Sequence, residues 1–350
     1  MTVTVLIVDD SAFMRNALTN MLSSDPEIRV IGTARDGVEA VEKTAQLQPD
    51  VVTMDVEMPR MDGIEALRLI MDKTPVPVIM VSSLTTEGAQ VTLEALEHGA
   101  VDFIPKNLSE LSINIVKIKA MLIDTVKQIA HSGRVRKRQS VPLVRTAEAP
   151  RVIPARSTGD RRMGIVAIGT STGGPRAIQE ILPRIPKDFP VPIVIAQHMP
   201  PNFTGPFAER LNQLSQVTVK EAVEGEALRP GVALVAPGRG HMRLLRPRGL
   251  ETVVNISESR DEFIYRPSVD YLMQSVADLF PGRALGVILT GMGSDGVKGL
   301  TALKKTGGRI FAQNEESCVV YGMPRAVVDA GIADKILSIE EMAGEIVNAV

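Results

Sequence analysis

The stretch Val3-Thr4-Val5-Leu6-Ile7-Val8-Asp9-Asp10-Ser11 decides how the first part of the chain is read. A short run of β-branched and aliphatic residues bounded by polar ones is the pattern of a fully buried strand, here ending in two carboxylates. Similar runs recur at residues 28–33, 51–54, 77–81 and 101–104. Between them, segments such as 36–47 and 62–71 place apolar residues three and four apart, the spacing of an amphipathic helix. Five strands alternating with helices predict a parallel sheet covered on both faces, with any ligand at the carboxyl ends of the strands.

The rhythm stops near His131. As far as Arg162 the chain is rich in Ser, Pro, Gly, Thr and Arg and holds no sustained apolar period. This predicts a flexible linker over residues 126–162, between one domain at 1–125 and a second at 163–350. Arg134, Arg136, Lys137 and Arg138 within it read as solvated linker charges, without a nucleic-acid partner. From Gly164 the alternation resumes, with strands expected at 164–169, 191–196, 232–235, 284–289 and 309–312. The expected fold class is therefore α/β throughout, as two doubly wound parallel-sheet domains.

Composition narrows the classes further. A length of 350 residues exceeds what a single core ordinarily organises. With 44% hydrophobic and only 3% aromatic residues, and no Trp, aliphatic side chains must fill both interiors. A net charge of -2 gives no push toward nucleic acid, and no apolar run approaches the roughly 20 residues needed to span a bilayer. The start lacks the positive region of a secretory signal, and Cys318, the sole cysteine, excludes an internal disulfide. The expectation is a cytoplasmic protein with no membrane insertion.

Asp9, Asp10 and Asp55 all fall at strand ends expected to share one rim, where Ser82 and Lys106 also arrive. Carboxylates brought together repel unless a hard cation neutralises them, and oxygen ligands suit Mg²⁺. Beside such an ion and the Lys106 ammonium, the Asp55 carboxylate can attack a phosphoryl group, with the Ser82 hydroxyl on a phosphate oxygen. Isolated aspartates at strand ends are ordinarily caps or turn residues. Here Val8-Asp9-Asp10-Ser11, Met54-Asp55-Val56-Glu57-Met58-Pro59, Met80-Val81-Ser82-Ser83 and Phe103-Ile104-Pro105-Lys106 occur together in order, and the segment resembles the receiver domain of response regulators. The resemblance implies a flavodoxin-like fold with phosphorylation at Asp55. It implies Mg²⁺ ligation by Asp10 and Asp55 with Asp9 acting mainly through water, a carbonyl ligand from Glu57, and switch roles for Ser82 and Phe103.

In the second half, Ser171 lies in Gly169-Thr170-Ser171-Thr172-Gly173-Gly174-Pro175, between an expected strand and a helix-period stretch. Glycines permit the tight turn, and free amides near a helix start can stabilise an oxyanion. Such loops also cradle phosphates, so the segment alone leaves nucleotide binding open. His198 and Asp295 follow two other expected strands, at the same rim of a parallel sheet. Ser171 as nucleophile, His198 as base and Asp295 as its orienting acid would then form an acyl-transfer site.

These loops, with the segments 235–242 and 321–325, resemble the CheB family of chemotaxis protein-glutamate methylesterases over essentially the whole chain. The resemblance implies a Rossmann-like serine esterase that hydrolyses glutamate γ-methyl esters on the cytoplasmic helices of chemoreceptors, releasing methanol. Many members also deamidate receptor glutamines. It implies no metal for ester hydrolysis and nominates the Met292 and Thr172 backbone amides for the oxyanion. His241 is expected near the rim without a catalytic step. A chemotaxis histidine kinase is the implied phosphodonor, and phosphorylation at Asp55 is expected to relieve packing of the receiver over the catalytic rim. The alternative is a response regulator whose output domain binds a nucleotide or partner through residues 169–175.

Overall fold

The computed structural model describes residues 2–82, 85–106, 111–132, 163–248, 250–258 and 265–350. The first unit alternates β1 (Val3–Val8), α1 (Ala12–Leu22), β2 (Ile28–Ala34), α2 (Gly37–Leu47), β3 (Val51–Asp55), α3 (Gly63–Lys73), β4 (Val78–Ser82), α4 (Thr86–Glu97), β5 (Asp102–Pro105) and α5 (Leu111–Ser132). Its strands are parallel in the order β2-β1-β3-β4-β5. This is the flavodoxin-like order, and the chain reverses direction across the sheet between β1 and β3. That switch point brings the end of β1, with Asp9 and Asp10, beside Asp55 at the end of β3. Ser11, Asp36, Asp62 and Thr85 each accept the N–H three residues on, capping α1 to α4.

α5 extends past the boundary expected at residue 125. Leu122, Val126 and Ile129, spaced four and three apart, are all buried against the face formed by Val3, Val5, Ile7 and α1. The apolar stripe therefore carries the helix to Ser132, and the linker expected from 126 does not begin there. Residues 133–162, which hold the rest of that expected linker, lie outside the described residues.

The second unit comprises β6 (Ile165–Thr170), α6 (Gly174–Ile181), β7 (Ile193–Gln197), α7 (Pro201–Leu214), β8 (Thr218–Glu221), β9 (Val232–Val235), β10 (His241–Leu245), β11 (Val253–Ser257), α8 (Val269–Leu279), β12 (Ala284–Ile288), α9 (Val297–Lys305), β13 (Arg309–Gln313), α10 (Met323–Asp329), β14 (Lys335–Leu337) and α11 (Ile339–Ala349). Seven strands run parallel in the order β14-β13-β12-β6-β7-β9-β8. β6 lies at the centre and is buried at every position; truncating Ile168 there to Ala would cost roughly 2–5 kcal/mol. β12, β6 and β7 are neighbours, so the loops after them meet at one rim. The sequence reading omits β8 and β14, short edge strands with exposed positions, and the antiparallel hairpin β10-β11 outside the main sheet.

The two units are in contact. α4 packs on α7, where Arg210 Nε and Nη2 donate to the two Glu97 carboxylate oxygens at 2.5 and 2.7 Å. Phe103 of β5 stacks on Phe203 of α7, with ring centroids 4.5 Å apart. Val320 is buried in the apolar cluster that includes α1 and α5, and Met292 and Val319 pack against it. Among the described residues no helix is long and apolar enough to cross a membrane.

Candidate functional site

At the carboxyl rim of the first sheet, Asp9, Asp10 and Asp55 each offer an oxygen within 4.8 Å of the others. Lys106 reaches this cluster from the end of β5, ion-paired with Asp55 and 3.3 Å from Asp9 Oδ2. Burial pushes the Asp55 carboxyl up to about 6; Lys106 opposes the shift and the Asp9 charge adds to it. Burial works against the Lys106 charge as well, yet its carboxylate partners hold the ammonium above the ordinary lysine range. Two buried acids, Asp9 and Asp55, with the exposed Asp10 and a single cation beside them fit a hard divalent ion bound through oxygen at the surface of the rim. Glu57 follows at the same rim, its N–H 3.3 Å from Asp55 Oδ1. Ser82 is buried, with its hydroxyl 3.3 Å from the Gly88 carbonyl. The Phe103 ring makes the stacked contact with Phe203 of α7.

At the rim of the second sheet, β6 delivers Ser171 into a turn that opens α6. Gly173 makes that turn at φ +75°, where a Cβ would also lie 2.6 Å from the Val319 side chain. The Ser171 N–H donates to the Thr290 carbonyl at 3.1 Å, and the Ser171 carbonyl accepts from Gln197 Nε2 at 3.0 Å. Gly291 passes so close that a Cβ would lie 2.8 Å from that of Ser171. The neighbouring β7 delivers His198, whose N–H donates to Thr170 O at 3.1 Å.

His198 Nε2 meets Asp295 Oδ2 at 2.8 Å, and Nδ1 is buried with no hydrogen-bond partner among the described residues. The proton shared with Asp295 therefore belongs on Nε2, which leaves the Nδ1 lone pair to accept another. No hydrogen bond joins it to Ser171 here; such bonds commonly tighten only when substrate is bound. Asp295 also accepts from the Val269 N–H at 2.7 Å, the Asp270 N–H at 2.9 Å and the Ser268 hydroxyl at 3.2 Å. These groups are the cap and first turn of α8. Burial by itself would raise the Asp295 pKa, but His198 and the α8 backbone donors together hold the carboxyl below its ordinary range.

Ser171, Thr172, His198 and Met292 line one cleft of about 660 Å³, together with Arg239 and Tyr265. The opposite wall comes from the first unit, as Asp102, Phe103, Ile104, Met121 and Thr125. Among the described residues, the backbone N–H groups of Thr172 and Met292 donate no hydrogen bond. Both are thus available to an oxyanion. His241 lies apart from the cleft: it is buried, and its Nδ1 accepts the Ser268 N–H at 3.1 Å. Its connection to Asp295 runs through Ser268.

The sequence reading missed two sets of residues. Thr290 joins the loops, its hydroxyl 2.9 Å from Thr172 O while Val319 and Val320 N–H donate to it at 3.1 and 2.9 Å. Residues 265–270 surround the His198–Asp295 pair. Asp270 returns the cap that Asp295 supplies, accepting Gly296 and Gly299 N–H at 3.0 and 2.8 Å at the start of α9. A Ser three residues after an aromatic and before a helix-period stretch was the available signal for a capped helix start there.

Residues 166–346 match the family model for CheB methylesterase, and residues 5–115 that for the response regulator receiver domain. The chain is 52% identical to protein-glutamate methylesterase/protein-glutamine glutaminase 1 of Oleidesulfovibrio alaskensis, over 99% of each. It is 45% identical to the protein-glutamate methylesterase/protein-glutamine glutaminase of Pyrococcus abyssi, covering 99% of this chain and 93% of that one. The crystal structure of the Thermotoga maritima CheB methylesterase catalytic domain is similar at 42% identity and a TM-score of 0.52, covering 54% of this chain and all of that one.

Proposed function

We propose, from the premise that the chain belongs to the CheB methylesterase family, that Ser171, His198 and Asp295 hydrolyse glutamate γ-methyl esters on chemoreceptors. The observation that carries this assignment is the His198 ring: Nε2 is held by Asp295 while Nδ1 stands unpartnered in the cleft that Ser171 lines. Nδ1 takes the Ser171 proton as Oγ bonds the ester carbonyl carbon. The oxyanion is met by the Thr172 and Met292 N–H groups. Collapse breaks the bond to methoxide, which leaves as methanol with the proton from Nδ1. Water then gives a proton to Nδ1 and attacks the acyl-enzyme, and the return of that proton to Oγ frees glutamate and Ser171. A receptor glutamine follows the same course with ammonia as leaving group. No step in this sequence calls on a metal.

Phosphorylation acts at Asp55, with a kinase of the chemotaxis system as donor. Asp9, Asp10, Asp55 and the Glu57 carbonyl would hold Mg²⁺, which supplies charge neutralisation for the incoming phosphoryl group. Lys106 holds a phosphate oxygen and Ser82 reorients to bind another. Because β5 and α5 of the receiver wall the cleft in front of Ser171, phosphorylation raises activity by loosening that wall. A tenfold change needs only about 1.4 kcal/mol between the two arrangements.

The direct test is methanol release from carboxyl-methylated receptor. Ser171→Ala is expected at the uncatalysed background, and full activity in that variant would overturn the nucleophile. A chain starting at Gly164 is expected to exceed the unphosphorylated full-length protein. Equal rates would reject control by the receiver wall.

A further inference from the structure

Tyr265 lies flat against His198. The ring centroids are 4.6 Å apart and the planes differ by 6°, so the phenol covers one face of the imidazole. Among the described residues the imidazole is hydrogen-bonded at one atom, through Nε2 to Asp295, and its Nδ1 has no partner. A ring held at one edge can still swing about the Cβ–Cγ bond, and a small swing would carry the Nδ1 lone pair away from Ser171. A parallel aromatic plane blocks that swing on one side. We propose that Tyr265 is a positioning residue for the His198 base, and that its ring face favours the imidazolium formed when Ser171 gives up its proton.

Three observations support a role for the ring rather than the hydroxyl. First, Tyr265 lines the cleft beside Ser171 and Met292, so it borders the reacting atoms instead of filling a remote core. Second, burial, then the charges of Asp295 and Asp124, hold the phenol proton more firmly than in an ordinary tyrosine, which disfavours proton transfer by its oxygen. Third, Tyr265 begins the six residues that end with the Ser268, Val269 and Asp270 donors on Asp295. One short segment thus fixes the acid by hydrogen bonds and the base by contact with its face. Stacking on a neutral imidazole is mainly dispersion; once the ring is protonated, the negative face of the phenol adds electrostatic attraction. Contacts that strengthen as charge develops lower the barrier and leave ground-state binding little changed.

The inference rests on the catalytic reading above, and one set of full-length, phosphorylated proteins separates the two. With methanol release from carboxyl-methylated receptor as the readout, Tyr265→Phe keeps the ring and is expected within about twofold of the parent kcat. Tyr265→Leu keeps apolar bulk and loses the aromatic face; kcat is expected to fall about tenfold with KM within about twofold, a difference of about 1.4 kcal/mol in the transition state. Losing a contact that favours the cation also makes the base harder to protonate. The acid limb of kcat/KM in Tyr265→Leu should therefore move to lower pH by about half a unit. A parent-like kcat or an unmoved acid limb in Tyr265→Leu would overturn the proposal, as would a Phe variant as impaired as the Leu variant. Ser171→Ala serves as the control: activity surviving there would sink the catalytic assignment itself, whereas an inactive Ser171→Ala beside an unimpaired Tyr265→Leu removes only the role of Tyr265.

Discussion

Asp55, which is buried, and Asp295, which is partly buried, are carboxylates at the carboxyl rim of a parallel sheet, yet their environments drive them in opposite directions. Asp55 is pushed up to about 6 because burial and a second carboxylate outweigh the one ammonium beside it. Asp295 is held low because two backbone N–H groups, a hydroxyl and an imidazole all donate to it. The first site is electrostatically incomplete, with carboxylates ready for a cation and a phosphoryl group. The Asp295 carboxylate is fully partnered before substrate arrives, and the Nδ1 lone pair of His198 is left open. On the proposed roles, the switch depends on a ligand changing its balance, whereas the catalytic pair depends on a balance already set.

The largest effect expected from that difference is at Asp295. In Asp295→Asn the side-chain oxygen can still accept from the α8 backbone, but the amide then donates to Nε2 and places the remaining ring proton on Nδ1. That tautomer cannot accept a proton from Ser171. Steady-state methanol release should show kcat lower by roughly 10⁴-fold with the fold intact. The incomplete site should fail differently. Asp10→Asn is expected to raise the Mg²⁺ concentration needed for Asp55 phosphorylation by no less than the roughly 10- to 100-fold that loss of an outer-sphere partner costs a metal site. Phosphate incorporation titrated against Mg²⁺ measures it. Chelation should stop phosphorylation while the basal ester hydrolysis of unphosphorylated protein stays within about twofold. A basal rate that collapsed on chelation would place a metal in the hydrolytic step.

The grouping of Asp9, Asp10 and Asp55 was open to sequence reading because charge is conspicuous at the end of an apolar strand, as in Val8-Asp9-Asp10 and Met54-Asp55. Ser171, His198 and Asp295 each followed an expected strand, and parallel strands share a rim. What stayed hidden is how these groups are held. Thr290 and Ser268 look like any loop hydroxyl until the fold brings partners from more than 20 residues away. Asp270 reads as an ordinary first-turn acid, and its reciprocal cap with Asp295 exists only when α8 and α9 are packed. The end of α5 was missed for a related reason: a stripe formed by Leu122, Val126 and Ile129 continued beyond the point where polar residues became dense.

The contact between the units can be probed at Phe103, which stacks on Phe203 across it. Phe103→Leu keeps an apolar side chain and loses the stack on Phe203, worth about 0.5–1.5 kcal/mol for an aromatic pair. The unphosphorylated protein should become about 2- to 10-fold faster in methanol release while the phosphorylated form stays near its parent. An equal rise in both forms would show that the stack does not belong to the closed arrangement.

Asp102 tests the same wall with a smaller expected effect. It lies in the cleft adjacent to Phe103, where burial pushes its carboxyl up to about 6 against hydrogen bonding from the Thr172 hydroxyl and the Phe103 N–H. In the open arrangement water reaches the group and its pKa returns toward the ordinary 3.8. The closed wall therefore binds the proton more tightly. Its contribution to closure is fully present below 3.8 and is lost as pH rises through about 6, so at neutral pH the ionised carboxylate loosens the wall. Asp102→Asn mimics the protonated side chain and should lower unphosphorylated activity at pH 7 by about two- to threefold. The ratio of unphosphorylated to phosphorylated rates, taken across pH 5–8 so that titration of the catalytic groups cancels, should rise with pH in the parent and be flat in the variant. A ratio with the same slope in both proteins would remove Asp102 from the control of access to Ser171.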